Sequence, residues 1–445
     1  MNTPIYDFAC KYAESDAVRM HMPGHKGTIQ LGCEPLDLTE ISGADELLAP
    51  EGIIAESEAN ASELFGCRTL YSTEGSSLCI RAMLLLVMRY AAENGKKPII
   101  AVGRNAHKTF LTASALLEPE IRWLESEQDA SYLSGKISVC TLENLLSAGI
   151  KPAALWLTSP DYLGNLADIR AAADFCHAND MLLIVDGAHG AYLRFLPESL
   201  HPIDLGADLC CTSAHKTLPV LTGGAYLHIS AHAPEILHSQ ARQALAMFAS
   251  TSPSYLILES LDLCNRYLHC AYSGHLQAFL QLIADIREKL RQYGWTVCGD
   301  EPMKLTLQSK PFGYTGYALA DILEKQQIYV EFADPDYVVM MPSPCNSADE
   351  LYRVCDVLCS IPQYPAISDR PPFFHSVHQP EMPLADVLYA GTVTLPVEQC
   401  SGRICAEFSV SCPPAVPIVI CGERISENDI QCMQYYGIRS CRVVK

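Results

Sequence analysis

The sequence predicts an α/β fold: a mostly parallel central sheet with helices on both faces, followed by a smaller α+β domain and a C-terminal domain. Three observations predict it. From about residue 56 to 250, short apolar runs alternate with helix-like ones, the pattern of strand-helix repeats. Several of these runs carry an unbroken apolar stretch, such as MLLIV within 181–186 and LCC within 208–213, as strands buried on both faces do. The residues able to do chemistry fall at the carboxyl ends of those runs or at helix starts, where open α/β sheets bind ligands.

Residues 1–55 read as an arm with little periodicity, rich in Pro, Gly and acids. A helix is expected near 57–65, a strand at 68–72, a helix at 76–92 and strands at 98–103 and 153–158. A helix at 168–179 and strands at 181–186, 208–213 and 224–229 complete the first domain, 56–254. A long helical stretch at 255–293, ending at Gly294, leads into an α+β block. Its order is strand, strand, helix, strand, strand, helix, and the domain spans 255–361. The Pro-rich stretch from Pro362 to Pro383 reads as a linker or an ordered wrap opening a C-terminal domain, 362–445.

Composition narrows the function. At 445 residues with 49% hydrophobic content the chain is long enough for two or three domains and a large core. A formal charge of −20 disfavours nucleic acid, which needs a basic footprint, and suits a cationic substrate weakly, since salt screens long-range steering. No apolar run approaches a membrane span, and the N-terminus lacks the basic-then-apolar pattern of a secretory signal, which points to the cytoplasm. Twenty cysteines include no Cys-x-x-Cys pair. The six between 400 and 441 read as packed, reduced thiols rather than a metal site, and no metal is expected.

Val185-Asp186-Gly187-Ala188-His189-Gly190 ends one strand, and Ser213-Ala214-His215-Lys216-Thr217 follows a later one, with Lys216 thirty residues beyond Asp186. An Asp at one strand end and a Lys past another suit pyridoxal 5'-phosphate (PLP). The acid holds the pyridine nitrogen protonated, and the amine forms the Schiff base. Gly75-Ser76-Ser77 opens the helical run after RTLYST; helix N-terminal N–H groups plus two hydroxyls suit a phosphate, although N-cap serines are also common for structural reasons. His107, in Arg104-Asn105-Ala106-His107-Lys108-Thr109, follows the apolar PIIAVG. It can lie over a pyridine ring within proton-transfer reach of the substrate α-carbon. Thr158-Ser159-Pro160 ends another strand facing the same crevice.

These motifs, with Met22-Pro23-Gly24-His25-Lys26-Gly27, DLTEISGADELLAPEGIIAESE at 37–58 and CPPAVPIVICGERI at 412–425, resemble those of the bacterial PLP-dependent ornithine/lysine/arginine decarboxylases of the aminotransferase-like fold. They follow in family order over nearly the whole chain; MPGHKG and SAHKT are the specific ones. The resemblance implies catalytic roles for Lys216, His107 and Asp186. It implies a cofactor site that also takes in Gly75, Ser76, Ser77, Ser159, Ala188, Ser213 and His215, with Ser76, Ser77, Ser213 and His215 helping to hold the phosphate. It further implies a basic amino acid as substrate, a place in polyamine biosynthesis, and at least a homodimer with the site at the subunit interface.

Cys412 and Ala415 stand where the family usually has Tyr and Gly, and Asp161 where it has Thr, so substrate identity is the open point. Asp45, Glu46, Glu407 and Glu423 are candidates for the substrate's distal cation. The competing readings are an aminotransferase, for which Arg353 or Arg403 would clamp the α-carboxylate, a cysteine desulfurase or similar lyase, and a non-catalytic regulatory relative. Retention of Asp186, His107 and Lys216 together argues against the last.

Overall fold

The computed structural model describes residues 1–124, 137, 139–372, 379–410 and 417–445. The chain forms two compact units, Met1–Lys96 with Ile169–Leu276 and Lys97–Asp168 with Gln277–Lys445. The protein is α/β with a mostly parallel central sheet. In chain order its strands are β1 (Arg68–Ser72), β2 (Ile99–Gly103), β3 (Glu120–Leu124), β4 (Ala154–Thr158), β5 (Leu182–Asp186), β6 (Leu209–Thr212) and β7 (Ala225–Ile229). The helices that matter most for the site are α1 (Pro4–Ala13), α2 (Ile53–Phe65), α3 (Gly75–Glu93) and α4 (Lys108–Leu117).

In the first unit the order is β1-β7-β6-β5. β5 and β6 are parallel, and Asp186 is the register partner of Cys211. β7 runs antiparallel to both neighbours, the exception in a mostly parallel sheet. The reason is the connection: Ser213 to Gly224 holds only the short helix Ala214–Thr217, whereas a parallel return needs a crossover of about a dozen or more residues, usually with a full helix. Gly223, at φ +104°, makes that return possible, because a Cβ there would sit 2.8 Å from the Thr73 carbonyl oxygen. Its own carbonyl accepts from the Gly75 N–H at 2.7 Å, tying the return loop to the start of α3.

α3 is longer and more apolar than its central run suggests. Among the described residues it is the one helix long and apolar enough to cross a membrane, with 61% of that window buried. It packs on β5, β6, β7 and the helix Glu235–Ala246, as a core helix does. The N-terminal arm is not without structure: α1 forms at Pro4–Ala13, its first turn held by Asp262, whose Oδ2 accepts from the Ile5 and Tyr6 N–H groups at 2.9 and 3.1 Å. The helix expected over 255–293 is interrupted by a π-helical turn at Leu268–Tyr272.

In the second unit β4, β2 and β3 are adjacent and parallel, with β2 central. A separate antiparallel sheet forms from Thr296–Cys298, Leu305–Gln308, Tyr337–Met340 and Phe332–Ala333, the last much shorter than the IYVEFA run suggests. The Pro-rich stretch is an ordered wrap as far as it is described: Tyr364 and Ile367 donate their N–H groups to the Phe312 and Lys310 carbonyls. At the C-terminus Thr392–Pro396 pairs with Ser440–Val444, and Cys400, Cys405, Cys432 and Cys441 are buried in one apolar cluster with Val397, Met433 and Val443. These cysteines are packing residues.

Candidate active site

The first unit gathers most of the expected site residues at the carboxyl ends of β5 and β6. Asp186 ends β5 with 3% exposure. Its Oδ1 accepts from the Ala188 N–H at 3.2 Å and from the Cys211 thiol at 3.6 Å. Burial, and then the Asp186 carboxylate, push the Cys211 thiol well above its usual range, so Cys211 is a neutral donor. The Ala188 carbonyl in turn accepts from the Ser213 N–H at 3.2 Å, joining the Asp186 turn to the Lys216 turn.

Ser213 precedes the short helix that carries Lys216, and its hydroxyl donates to the Ser76 hydroxyl at 2.9 Å. Gly75 opens α3 at φ +70°, and the atom nearest to where its Cβ would stand is Cε1 of His215, at 4.0 Å. The His215 Nδ1–H donates to the Gly224 carbonyl at 3.0 Å, which leaves Nε2 as the ring nitrogen able to face a phosphate. Lys216 Nζ lies 3.2 Å from Nε2 of His189, a residue outside the expected site set although it sits in the DGAHG run.

This arrangement fits PLP. The start of a 19-residue helix with a glycine cradle and two adjoining serine hydroxyls offers donors to a phosphate, the buried Asp186 offers an acceptor to a pyridinium N–H, and Lys216 offers the amine.

His107 and Ser159 belong to the second unit. His107 caps α4: its Nδ1 accepts from the Thr109 N–H at 3.2 Å, which places the ring proton on Nε2. The Ser159 hydroxyl accepts from the Ala167 N–H at 3.0 Å and so closes the turn after β4. Thr158 Oγ1 donates to the Asn105 carbonyl at 3.2 Å, joining that turn to the one before His107.

Of the four candidate acids for a distal cation, Asp45, Glu407 and Glu423 are engaged elsewhere. Asp45 is a backbone clamp that accepts from the N–H groups of Glu46, Glu51, Gly52, Ile54 and Ala55 at the start of α2. The largest effect on its carboxyl is desolvation, which raises its pKa, but those backbone donors together hold it below its usual value. Glu423 forms a bidentate pair with Arg104 at 2.6 and 2.8 Å, each side chain 3% exposed. Glu407 lies 3.5 Å from Arg442, and Glu46 is exposed. Arg353 and Arg403 donate to the Gln326 and Val444 carbonyls.

Asp161 is explained locally. Its two oxygens accept from the Asn165 backbone and side-chain nitrogens at 2.8 and 2.9 Å, so it is a turn residue. Cys412 and Ala415 lie outside the described residues.

Comparison with known proteins agrees with this geometry. The family model described as Orn/Lys/Arg decarboxylase, major domain, matches residues 3–306, and that described as Orn/Lys/Arg decarboxylase, C-terminal domain, matches 368–440. An arginine decarboxylase of Bacillus subtilis (strain 168) is 30% identical over 459 residues, covering 96% of this chain and 92% of the relative. One of Halalkalibacterium halodurans is 29% identical over 466 residues, covering 96% and 92%. Among solved structures, the lysine decarboxylase of Francisella novicida superposes with a TM-score of 0.80 at 17% identity, covering 100% of this chain and 81% of that one, a likeness of fold. With a matched major domain, a matched C-terminal domain and near-full-length relatives, the chain belongs to the Orn/Lys/Arg decarboxylase family and is a PLP-dependent amino-acid decarboxylase.

Proposed function

We propose that the chain removes the α-carboxylate of a basic L-amino acid, arginine or lysine ahead of ornithine, releasing CO₂ and the corresponding amine. The observation that carries the chemistry is the convergence of Asp186, Ser76, Ser213, His215 and Lys216 in one unit. Support for a cationic substrate comes from the relatives named arginine decarboxylase and from the surplus of acids, 51 against 31 Lys and Arg.

PLP, when bound, supplies an electron sink for the pair left on the α-carbon once CO₂ departs. Asp186 receives the pyridine N–H through the carboxylate that Ala188 and Cys211 steady, and keeps the positive charge there. Ser76, Ser77, Ser213, His215 and the first N–H groups of α3 hold the phosphate. Lys216 would hold the cofactor between turnovers through its side-chain amine. His189, 3.2 Å away, would take a proton from Nζ and so leave the free amine that recapture of the cofactor needs. Lys216 Nζ or His107 Nε2 returns a proton to the α-carbon. The balance is one proton taken up for each C–C bond broken.

Two further readings belong with this one. Ser159 and Ala188 border the cofactor, Ala188 by its methyl group, since its N–H and carbonyl already bond Asp186 and Ser213. The working enzyme is a homodimer or larger. Supporting this, Val18, Met20, Met22, Ile29 and Leu31 are 66–90% exposed within one short segment of the arm, an apolar row that an isolated subunit leaves in water.

Release of CO₂ and amine from a panel of amino acids tests the substrate. Arginine or lysine is expected to exceed norleucine in kcat/KM by about a hundredfold or more, because a site built for a cation leaves its acid unpaired with a neutral chain. Equal turnover of neutral amino acids overturns the cationic assignment. Light scattering after size exclusion tests the assembly.

A further inference from the structure

Glu423 is the most deeply buried acid of the C-terminal region, and its partner sits beside a candidate catalytic turn. Arg104 is the residue after β2 and stands three positions before His107. Both Arg104 nitrogens of the fork engage both Glu423 oxygens, and Glu423 Oε2 also accepts from the Ile420 N–H at 2.8 Å. The turn that presents Glu423 is closed by the Glu423 N–H to the Ile420 carbonyl at 3.0 Å. It passes through Gly422 at φ +88°, where a Cβ would stand 2.1 Å from the Met382 carbonyl oxygen. Only glycine allows that approach.

The C-terminal region also grips the far side of the same turn. The helix Leu384–Tyr389 packs on α4, which His107 caps. Between the two grips the chain is short and closed on itself, with the Ala106 N–H on the Gly103 carbonyl at 3.1 Å and the Phe110 N–H on the His107 carbonyl at 2.8 Å. A rigid planar fork in a dry setting fixes direction as well as distance, which a lysine or a solvated pair does not. We propose that Glu423, acting through Arg104, is a positioning residue for His107: the C-terminal region sets the imidazole by holding the base of its turn. This rests on the reading of His107 as a ring-stacking, proton-handling residue. It assigns Glu423 to the protein's own arginine rather than to the substrate's cation.

The test replaces the pair without leaving a buried charge alone, since a matched apolar pair is often tolerated where a single deletion is not. Arg104→Met with Glu423→Leu is compared with His107→Ala, with the triple variant and with the parent, each checked for folding by its thermal transition. The readouts are the PLP dissociation constant from absorbance titration, and kcat and KM for the substrate. The paired variant is expected to weaken PLP binding and lower kcat by about ten- to a hundredfold, with KM changed less than about threefold, the scale of a displacement near 1 Å. In the His107→Ala background the paired change should add less than about twofold, because both act through one imidazole.

Additive losses, or no loss in the paired variant, overturn the positioning role while leaving His107 in place. A rise confined to KM for the cationic substrate overturns it in favour of a substrate-binding acid. If His107→Ala itself changes neither PLP binding nor kcat, the reading of His107 fails first, and that result is distinguishable from the others. Should the paired variant fail to fold, Glu423→Gln, which keeps an acceptor oxygen for Arg104, carries the same comparison, with a smaller loss expected in the same two readouts.

Discussion

The cofactor corner of the first unit and the C-terminal region of the second solve the same problem, holding a functional group still, by opposite means. The first uses short-range turns: Asp186 to Ala188, Ser213 to Lys216 and Gly223 to Gly75 are backbone or side-chain bonds at strand ends that lie side by side in the sheet. The second uses a partner from far along the chain, since Arg104 and Glu423 are 319 residues apart in sequence and meet as a buried ion pair. Local turns tolerate change in their neighbours. A buried ion pair does not, because removing one partner strands the other charge in a dry setting.

The largest effect is expected where the first region is broken chemically. Lys216→Ala should lose borohydride-fixable cofactor and reduce turnover by about a thousandfold or more, since the amine that bonds the cofactor is removed. Mass analysis of the reduced protein checks it, and retention of the bound mass refutes the assignment. Asp186→Asn comes next. The neutral amide accepts no charge-assisted bond from the ring, so PLP should remain bound while kcat falls by about a hundredfold. Near-parental turnover there would remove Asp186 from the mechanism.

A gentler probe falls in the first unit, on the helix Tyr255–Tyr267. Glu259 is 4% exposed, and burial, then Asp37, then Asp262 raise its pKa to about 8. Asp262, raised to about 6, and Tyr255 flank it on the same helix. Because the folded pKa of Glu259 lies above its unfolded value, the protonated acid stabilises fully below pH 4.5, and that contribution is lost as pH rises to about 8. Glu259→Gln should therefore flatten the fall in Tm over that window and raise Tm by about 2–4 °C at pH 8 for each kcal/mol regained. An unchanged pH profile shows that Glu259 is already ionised.

The smallest effect is expected at Asp161. As a turn acceptor for Asn165, its change to Thr should cost about 1–2 kcal/mol of stability and leave the ratio of kcat/KM values between amino acids unaltered. A changed substrate ratio would return Asp161 to the pocket.

The same contrast explains what could be read from sequence. The strands β1, β2 and β4 to β7 are legible because buried strands are short apolar runs with turn residues at each end, and Asp186 and Lys216 stand out at those ends. α4 and the helix Glu235–Ala246 were not singled out: KTFLTASALL has no clear polar face, and packing rather than periodicity makes it helical. The reversal of β7 depends on the brevity of one connection, which a list of strands does not convey. Glu423 and Asp45 look like free acids in sequence because their partners, Arg104 and five backbone N–H groups, are assembled only by the fold. His189 lay inside a recognised motif and needed only its spacing from Lys216 to be noticed.

The membrane-length helix α3 has a consequence for synthesis. The helix Glu235–Ala246 that covers one side of it, and β5 to β7 that cover the other, are translated well after it. Roughly 150 residues separate the end of α3 from the end of that covering helix, so at about 5–20 residues per second a ribosome holds the apolar helix without its partners for about 8–30 s. For that interval the apolar face of α3 lacks the strands and the helix that bury it. The phosphate end of the site, built on the first turn of α3, becomes whole only once Ser213 and His215 have been made.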